Sequence, residues 1–230
     1  MGKIKVAIVG DYNPAFASHI ATSKSIEHVS EKIKDKVTYD WISTNDLKKQ
    51  TTVLSKYQRI WIAPAPYLNE RGLLNSIEYA RTKNVPLIGT GEGFVYSIIE
   101  FCSRVLGIEN QKLEIVPENQ DELVIVKSKD NQQTLTTVDI RIKESSKSLE
   151  IYKIEESKEM TNCDYSLNQN YFNQVEEAGM HIAAYDNNND AQLLELPEHK
   201  YFILTKFLPQ ITSAPGKSHP LIKAFIKPGI

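Results

Sequence analysis

Residues 85–94 read Val-Pro-Leu-Ile-Gly-Thr-Gly-Glu-Gly-Phe. A short apolar run closes on Gly89, and Gly91 and Gly93 follow at alternate positions. Over residues 93–106, Phe94, Ile98, Ile99, Cys102 and Val105 then fall at helical spacing. Strand, sharp glycine turn and helix in that order are the geometry of a nucleophile elbow, which lifts one side chain above a sheet at a strained backbone position and aims a helix N-terminus at whatever binds there. The residue placed to carry that side chain is Gly91, which has none. A backbone anion cradle or a tight connection fits the same residues equally well.

The alternation continues outward. Residues 3–9 predict a strand ending at Gly10, and Ile20, Ile26, Val29 and Ile33 are spaced for one helix face. Residues 37–42 and 59–63 predict two more strands, and Leu73, Leu74, Ile77 and Ala80 mark the helix that leads into the elbow strand. Strands alternating with helices imply parallel strands joined by crossovers, an α/β doubly wound sheet. The second half differs. Residues 112–158 are rich in Glu, Lys, Gln, Ser and Thr, with β-prone pieces at 123–126, 136–142 and 149–154 that predict a small antiparallel excursion at the sheet edge. A short helix is expected around 168–178, and strands at 180–185, 192–196 and 201–205. Asn187-Asn188-Asn189-Asp190 reads as the tight turn of a hairpin.

The chain has 230 residues, 41% of them hydrophobic and 24% charged, which excludes disorder and collagen and is enough to bury a core. Nothing reads as a linker or a repeat, so 1–230 is taken as one domain. No run approaches the roughly 18–20 apolar residues of a membrane-crossing helix. The opening residues are too short an apolar block for a signal peptide and read as a first strand. Lys+Arg 27 against Asp+Glu 29 leaves a net charge of −2 and no basic face for nucleic acid. Cys102 and Cys163 make no disulfide framework, and with the scattered histidines they show no zinc spacing. No metal or cofactor is expected, and the cytoplasm is the expected compartment.

In an open parallel sheet, ligands collect at the carboxyl ends of strands. Here those ends are Gly10-Asp11-Tyr12, residues 63–66 and the 89–93 turn. Other features are weaker. Gly216-Lys217-Ser218 ends like a phosphate-binding loop, but Ile211 stands where the first glycine is needed. Cys102 reads as a core thiol, Cys163 in a polar connection as a candidate reactive one, and His181 and His199 as structural or surface residues. Arg71-Gly72 reads as fixing a turn. No histidine or lysine is placed by the sequence to activate a nucleophile.

Taken together, several blocks resemble the class I glutamine amidotransferase domain of the CTP synthase type, including its free-standing relatives. Lys5-Val-Ala-Ile-Val-Gly10 is similar to the opening strand, and residues 64–72, ending Glu70-Arg71-Gly72, to the Pro-Gly-Gly-Phe-Gly-x-Arg-Gly loop. Residues 80–89 (Ala-Arg-x-x-Asn-Val-Pro-Leu-Ile-Gly) resemble the helix and strand before the elbow, and 96–107 the helix after it. Residues 176–183 and 212–221 resemble two later segments. The resemblance implies a flavodoxin-like α/β fold. It also implies a chemistry in which a cysteine attacks the glutamine amide, a histidine shuttles the proton and a glutamate orients the histidine.

Against that pattern the family's Gly-Ile/Thr-Cys-x-Gly reads Gly89-Thr90-Gly91-Glu92-Gly93, so Gly91 stands at the nucleophile. Gln-Phe-His-Pro-Glu reads Lys206-Phe207-Leu208-Pro209-Gln210, placing Leu208 at the base and Gln210 at its orienting group. The oxyanion loop Gly-Gly is Ala65-Pro66, and proline has no N–H to donate. Arg-His-Arg-Tyr-Glu, which holds glutamine, reads Asn162-Cys163-Asp164-Tyr165-Ser166. The resemblance therefore implies a domain with its catalytic triad lost, binding a small molecule or a protein partner in a pocket rimmed by Thr90, Gly91, Glu92, Tyr165, Leu208 and Gln210. Glu92 is expected to disfavour a carboxylate ligand. Two alternatives remain in view. One is an enzyme of different chemistry in the same cleft, drawing on Thr90, Glu92, Asp11 or Cys163. The other is a glutamine-hydrolysing subunit in pyrimidine nucleotide metabolism, unable to make CTP alone for want of a synthetase part. A homo-oligomer is left open, and the ligand is not written in the sequence.

Overall fold

The structure is a computed structural model that describes residues 2–108, 122–128 and 134–227. Strands β1 (Lys3–Val9), β2 (Lys36–Ile42), β3 (Arg59–Ile62) and β4 (Leu87–Thr90) come first, with helices α1 (Ala17–Ser30) and α2 (Glu70–Thr82) between them and α3 (Glu92–Val105) after the elbow. Then follow β5 (Ile125–Lys127), β6 (Thr136–Ile142), α4 (Lys147–Tyr152), β7 (Glu156–Thr161), β8 (Tyr165–Leu167) and α5 (Phe172–Glu177). The chain ends with β9 (His181–Tyr185), β10 (Ala191–Glu195), β11 (Phe202–Thr205), α6 (Pro209–Thr212) and α7 (Pro220–Ile226).

Nine strands make one sheet in the order β2-β1-β3-β4-β11-β10-β9-β6-β7. The first five are mutually parallel and the last four antiparallel, so the expected mostly parallel doubly wound core carries a larger antiparallel wing than the sequence suggested. Alternation sorts the two faces. Val6, Ile8, Trp61 and Ile203 pack under α1 and α7, with Ile26, Val29, Leu221 and Phe225. Ala7, Val9, Ile60, Ile62 and Leu204 pack under α2 and α3, with Leu73, Ile77, Phe94 and Ile98. Buried on both faces, the central strands read as continuous apolar runs, and that is why they were legible.

One expected strand is a helix. Residues 149–154 carry β-prone Leu149 and Ile151, yet 147–152 form α4. Ser146 caps it by accepting the Leu149 N–H, and the buried Glu195 carboxylate, remote in sequence, accepts the Lys147 and Ser148 N–H groups at 2.8 and 3.0 Å. Tertiary capping of the orphan N-terminal donors overrides local propensity. Strands β7 and β8 were not foreseen, because Glu-Ser-Lys-Glu-Met-Thr lacks an apolar alternation. The hairpin turn was foreseen: β9 and β10 pair across it, and the Asp186 N–H donates to the Asp190 carbonyl. Most of the polar stretch after α3, residues 109–121 and 129–133, lies outside the described residues. No helix among the described residues is long and apolar enough to cross a membrane.

Candidate functional site

The parallel strands end at one edge, where the loops after β1, β3, β4 and β11 meet. Gly91 caps α3 with φ 59° and ψ −122°, a backbone state only glycine adopts freely. Its N–H donates to the Thr205 carbonyl on the neighbouring strand at 2.9 Å, and its carbonyl accepts from Phe94. Gly93 is needed for a different reason: a Cβ there would lie 2.6 Å from the Ile62 carbonyl oxygen, so glycine lets α3 lie against β3. The wall facing Gly91 is apolar. A Cβ added at Gly91 would meet Leu208 Cδ2 at 3.1 Å and Pro64 Cβ at 3.5 Å. Leu208 is held there by its N–H, which donates to the Met160 carbonyl at 2.7 Å at the end of β7.

Thr90 and Gln210 lie beneath this wall rather than on its surface. The Thr90 hydroxyl accepts from Trp61 Nε1 at 3.1 Å and from Gln210 Nε2 at 3.3 Å, and Gln210 is 1% exposed with its Oε1 unpartnered. Both are core groups. Glu92 turns back over the loop after β3, where its carboxylate accepts the Ala65 N–H at 3.1 Å. Burial raises the Glu92 pKa and Asp164 adds to the rise, while the Ala65 and Glu92 N–H groups pull it down. Tyr165 joins chiefly through its backbone: its carbonyl accepts from the Cys163 thiol, while its half-buried ring packs on the core under α3.

Two expectations change here. Cys163 is not an accessible thiol. It is 1% exposed, and burial, reinforced by the charge of Glu92, pushes its pKa up to about 12. Asp11 is not a free carboxylate either. It accepts from Ser43 Oγ at 2.6 Å, Leu68 N at 2.7 Å and Thr44 N at 3.2 Å, as well as from the Thr44 hydroxyl, and so ties the loops after β1, β2 and β3 together. The weaker features fall as expected. Cys102 is buried with its pKa also raised to about 12, chiefly by burial, His199 contacts the Ala80 carbonyl, and His181 is exposed. Gly216 sits in a turn between α6 and α7, not between a strand and a helix.

Sequence reasoning passed over two residues. His19 in α1 accepts the Asn13 N–H on Nδ1, leaving Nε2 to donate to the Pro64 carbonyl at 3.0 Å, which fixes the loop that packs on Gly91. Lys206, just beyond β11, is 4% exposed and donates to two serines, Ser128 at 2.8 Å and Ser166 at 2.6 Å. A lysine is therefore placed beside hydroxyls after all. The local sequence held no signal for it, because a lysine is rarely buried unless paired and its partners Ser128, Ser166 and Asp190 come from distant segments. Among the described residues no group of acidic, histidine or cysteine side chains can hold a metal ion.

The comparisons with known proteins agree on the family of the chain. The family model described as "Glutamine amidotransferase class-I" matches residues 17–228. The CTP synthase of Saccharolobus solfataricus is 28% identical over 97% of this chain and 44% of its own length, and that of Thermococcus kodakarensis is likewise 28% identical over 97% and 44%. The chain thus spans about half the length of the curated relatives it matches. In structure it is similar to a Trypanosoma brucei CTPS glutaminase domain with bound acivicin, with TM-score 0.85 at 21% identity over 96% of this chain and 92% of that one. It also resembles a glutamine amidotransferase from Thermotoga maritima, with TM-score 0.57 at 11% identity over 90% and 76%. At these identities the solved structures speak for the fold.

Proposed function

This chain belongs to the class I glutamine amidotransferase family, and from that premise we propose that it is a member without glutaminase activity, whose former substrate edge serves to bind a small molecule or a protein partner. One observation carries the reading: the Glu92 carboxylate already takes the Ala65 N–H. In the family's pattern that loop donates to the oxyanion formed when glutamine is attacked. Here one donor is occupied by the chain's own side chain and the next residue is Pro66, which has none.

The residues around the elbow support the same reading. Gly91 offers no nucleophile, Leu208 faces it in place of a base, and Gln210 is a neutral amide hydrogen-bonded to Thr90. Nucleophile, base and oxyanion donors act as a unit, and in subtilisin losing the nucleophile alone removes about six orders of magnitude of turnover. The names of the curated relatives, CTP synthases, support a place near pyrimidine nucleotide synthesis.

The test is a glutaminase assay on the purified chain, with ammonia read through glutamate dehydrogenase. The expected result is no release above buffer. Steady ammonia production that follows the protein through purification refutes the proposal.

A further inference from the structure

The sheet ends at β7, and the outer side of that strand is open. β7 pairs antiparallel with β6, with Asp139 opposite Lys158 and Arg141 opposite Glu156. The Ile142 N–H donates to the Glu155 carbonyl at 2.7 Å, and this bond fixes the alternation. The ladder to β6 uses the backbone groups of residues 155, 157, 159 and 161, so those of Glu156, Lys158 and Met160 point away from it. The Met160 carbonyl shows the direction, because it accepts the Leu208 N–H at 2.7 Å. Among the described residues no backbone group meets those of Glu156 and Lys158 on this side, and both residues are exposed. An open row of donors and acceptors is a template for another strand.

The side chains of the same residues say what fits there. On one face of the wing Glu156 pairs with Arg141 at 3.6 Å and Lys158 with Asp139 at 3.2 Å, and all four side chains are more than half exposed. Each row across the wing thus ends in a charge at the open edge, one row negative and the other positive. We infer that β7 is an interface between two copies of this chain, paired antiparallel about a two-fold axis at Ser157. Charge and Met160 together select the register. Setting Glu156 against Glu156 of the second copy brings like charges opposite each other. Setting Lys158 against Lys158 of the second copy does the same, and also sets Glu156 against a Met160 carbonyl that Leu208 already holds. Setting Glu156 against Lys158 of the second copy avoids both faults. Each of these residues then exchanges its N–H and C=O across the seam. Each row runs Arg141, Glu156, then Lys158 and Asp139 of the second copy, with the sign alternating throughout. An edge of a single sign keeps copies apart, whereas a Glu-x-Lys edge attracts its own copy in one register. Ile154, 53% exposed directly before β7, adds apolar surface at each end of the seam. The elbow takes no part, so the inference stands apart from the proposed loss of glutaminase activity.

Sedimentation velocity over a micromolar-to-millimolar series tests the interface on the full chain. The expected result is a passage from monomer to dimer that weakens as salt screens the exposed rows. Lys158→Glu sets a glutamate opposite Glu156 at both symmetric positions, and Glu156→Lys sets a lysine opposite Lys158. Each is expected to raise the dimer Kd by about 10-fold or more, because two cross-strand pairs turn from attractive to repulsive. An equimolar mixture of the two variants is expected to associate again as a heterodimer, since every pair across the seam is then of opposite sign. Both substitutions lie at exposed positions, and circular dichroism checks that the variants are folded. Ser157→Cys reads the register independently. A pair on the axis is a non-hydrogen-bonded one with its Cα atoms about 4.5 Å apart, within disulfide reach, and the native Cys102 and Cys163 are buried. Oxidised glutathione is expected to join two Ser157→Cys chains and to leave Glu155→Cys chains single, because residue 155 lies across from residue 159 in this register. A wild-type chain that stays monomeric throughout the series overturns the inference, including one whose β7 takes up an extended peptide of another protein instead. A dimer that Lys158→Glu leaves intact, or a mixture of the folded variants that stays monomeric, overturns it as well.

Discussion

Adding a single methyl group at residue 91 tests how closely the elbow has closed. In Gly91→Ala an L-residue must adopt φ 59° and ψ −122°, which costs about 1–3 kcal/mol. The new Cβ also arrives 3.1 Å from Leu208 Cδ2 and 3.5 Å from Pro64 Cβ in a wall with no solvent to yield into. Overpacking of a buried wall costs about 1–3 kcal/mol, and the tip of a leucine can retreat a few tenths of an ångström, which places this contribution near about 1 kcal/mol. The sum is a destabilisation of about 2–4 kcal/mol. Strain and contact separate in a cycle with Leu208→Ala: the contact disappears in the double variant while the backbone strain stays, so the pair is expected to couple by about 1 kcal/mol. Urea unfolding followed by tryptophan fluorescence reads all four proteins, since Trp61 is fully buried beneath this edge. A Gly91→Ala protein within about 0.5 kcal/mol of its parent refutes the reasoning, because an ordinary surface substitution does no more.

Two further predictions concern titrating groups. Glu92 has a raised pKa, so the folded state holds its proton more tightly than the unfolded chain, and stability falls as pH rises from the ordinary glutamate value of about 4.3 through the raised folded value. Glu92→Gln keeps an acceptor for the Ala65 N–H and removes that fall. The variant is therefore expected to gain on the parent as pH rises through this window, as measured by paired urea midpoints, and a difference that does not vary with pH refutes the assignment. The comparison between variant and parent also cancels Glu100, whose pKa is likewise raised, chiefly by burial. For Cys163, a pKa of about 12 leaves about one thiolate in 10⁵ at pH 7, and the sulfur is buried as well. Iodoacetamide is expected to leave it unmodified in the native protein and to label it readily in urea, and rapid native labelling refutes the packing described here.

The parallel half of the fold was legible because its strands are buried on both faces and its helices carry one apolar stripe each, as in Leu73, Ile77 and Ala80 of α2. The antiparallel wing was legible only where a turn announced it, at Asn187–Asp190 by number and composition. α4 was misread because what starts it is Glu195, a carboxylate from another strand, and no local window contains both. At the edge, Gly91, Glu92 and Leu208 were read together and do lie together, since each follows directly from the end of a central strand. Thr90 and Gln210 are neighbours as well, but they face inward, and inward or outward at a strand end is decided by one residue of register. Asp11 and Cys163 were misjudged for one reason: side-chain type suggests reactivity, while the hydrogen bonds and burial that cancel it come from distant segments. Ser128, Ser166 and Lys206 were invisible as a set because three strands far apart in sequence, β5, β8 and β11, bring them together.

The two halves of this edge have opposite electrostatic needs. On the elbow side the N-terminus of α3 favours negative charge, and the chain meets that need itself with Glu92, whose carboxylate also takes the nearest loop N–H. A ligand carboxylate arriving there must displace Glu92 and then sit near Asp164, whose charge already raises the Glu92 pKa. On the far side Lys206 is enclosed by hydroxyls and by Asp190. The elbow side therefore disfavours a free carboxylate. Glutamine carries such a carboxylate, and at the elbow it meets Glu92 and Asp164. The sign of a ligand's charge at the elbow follows from Glu92 and Asp164 together, so replacing Glu92 alone does not reverse it.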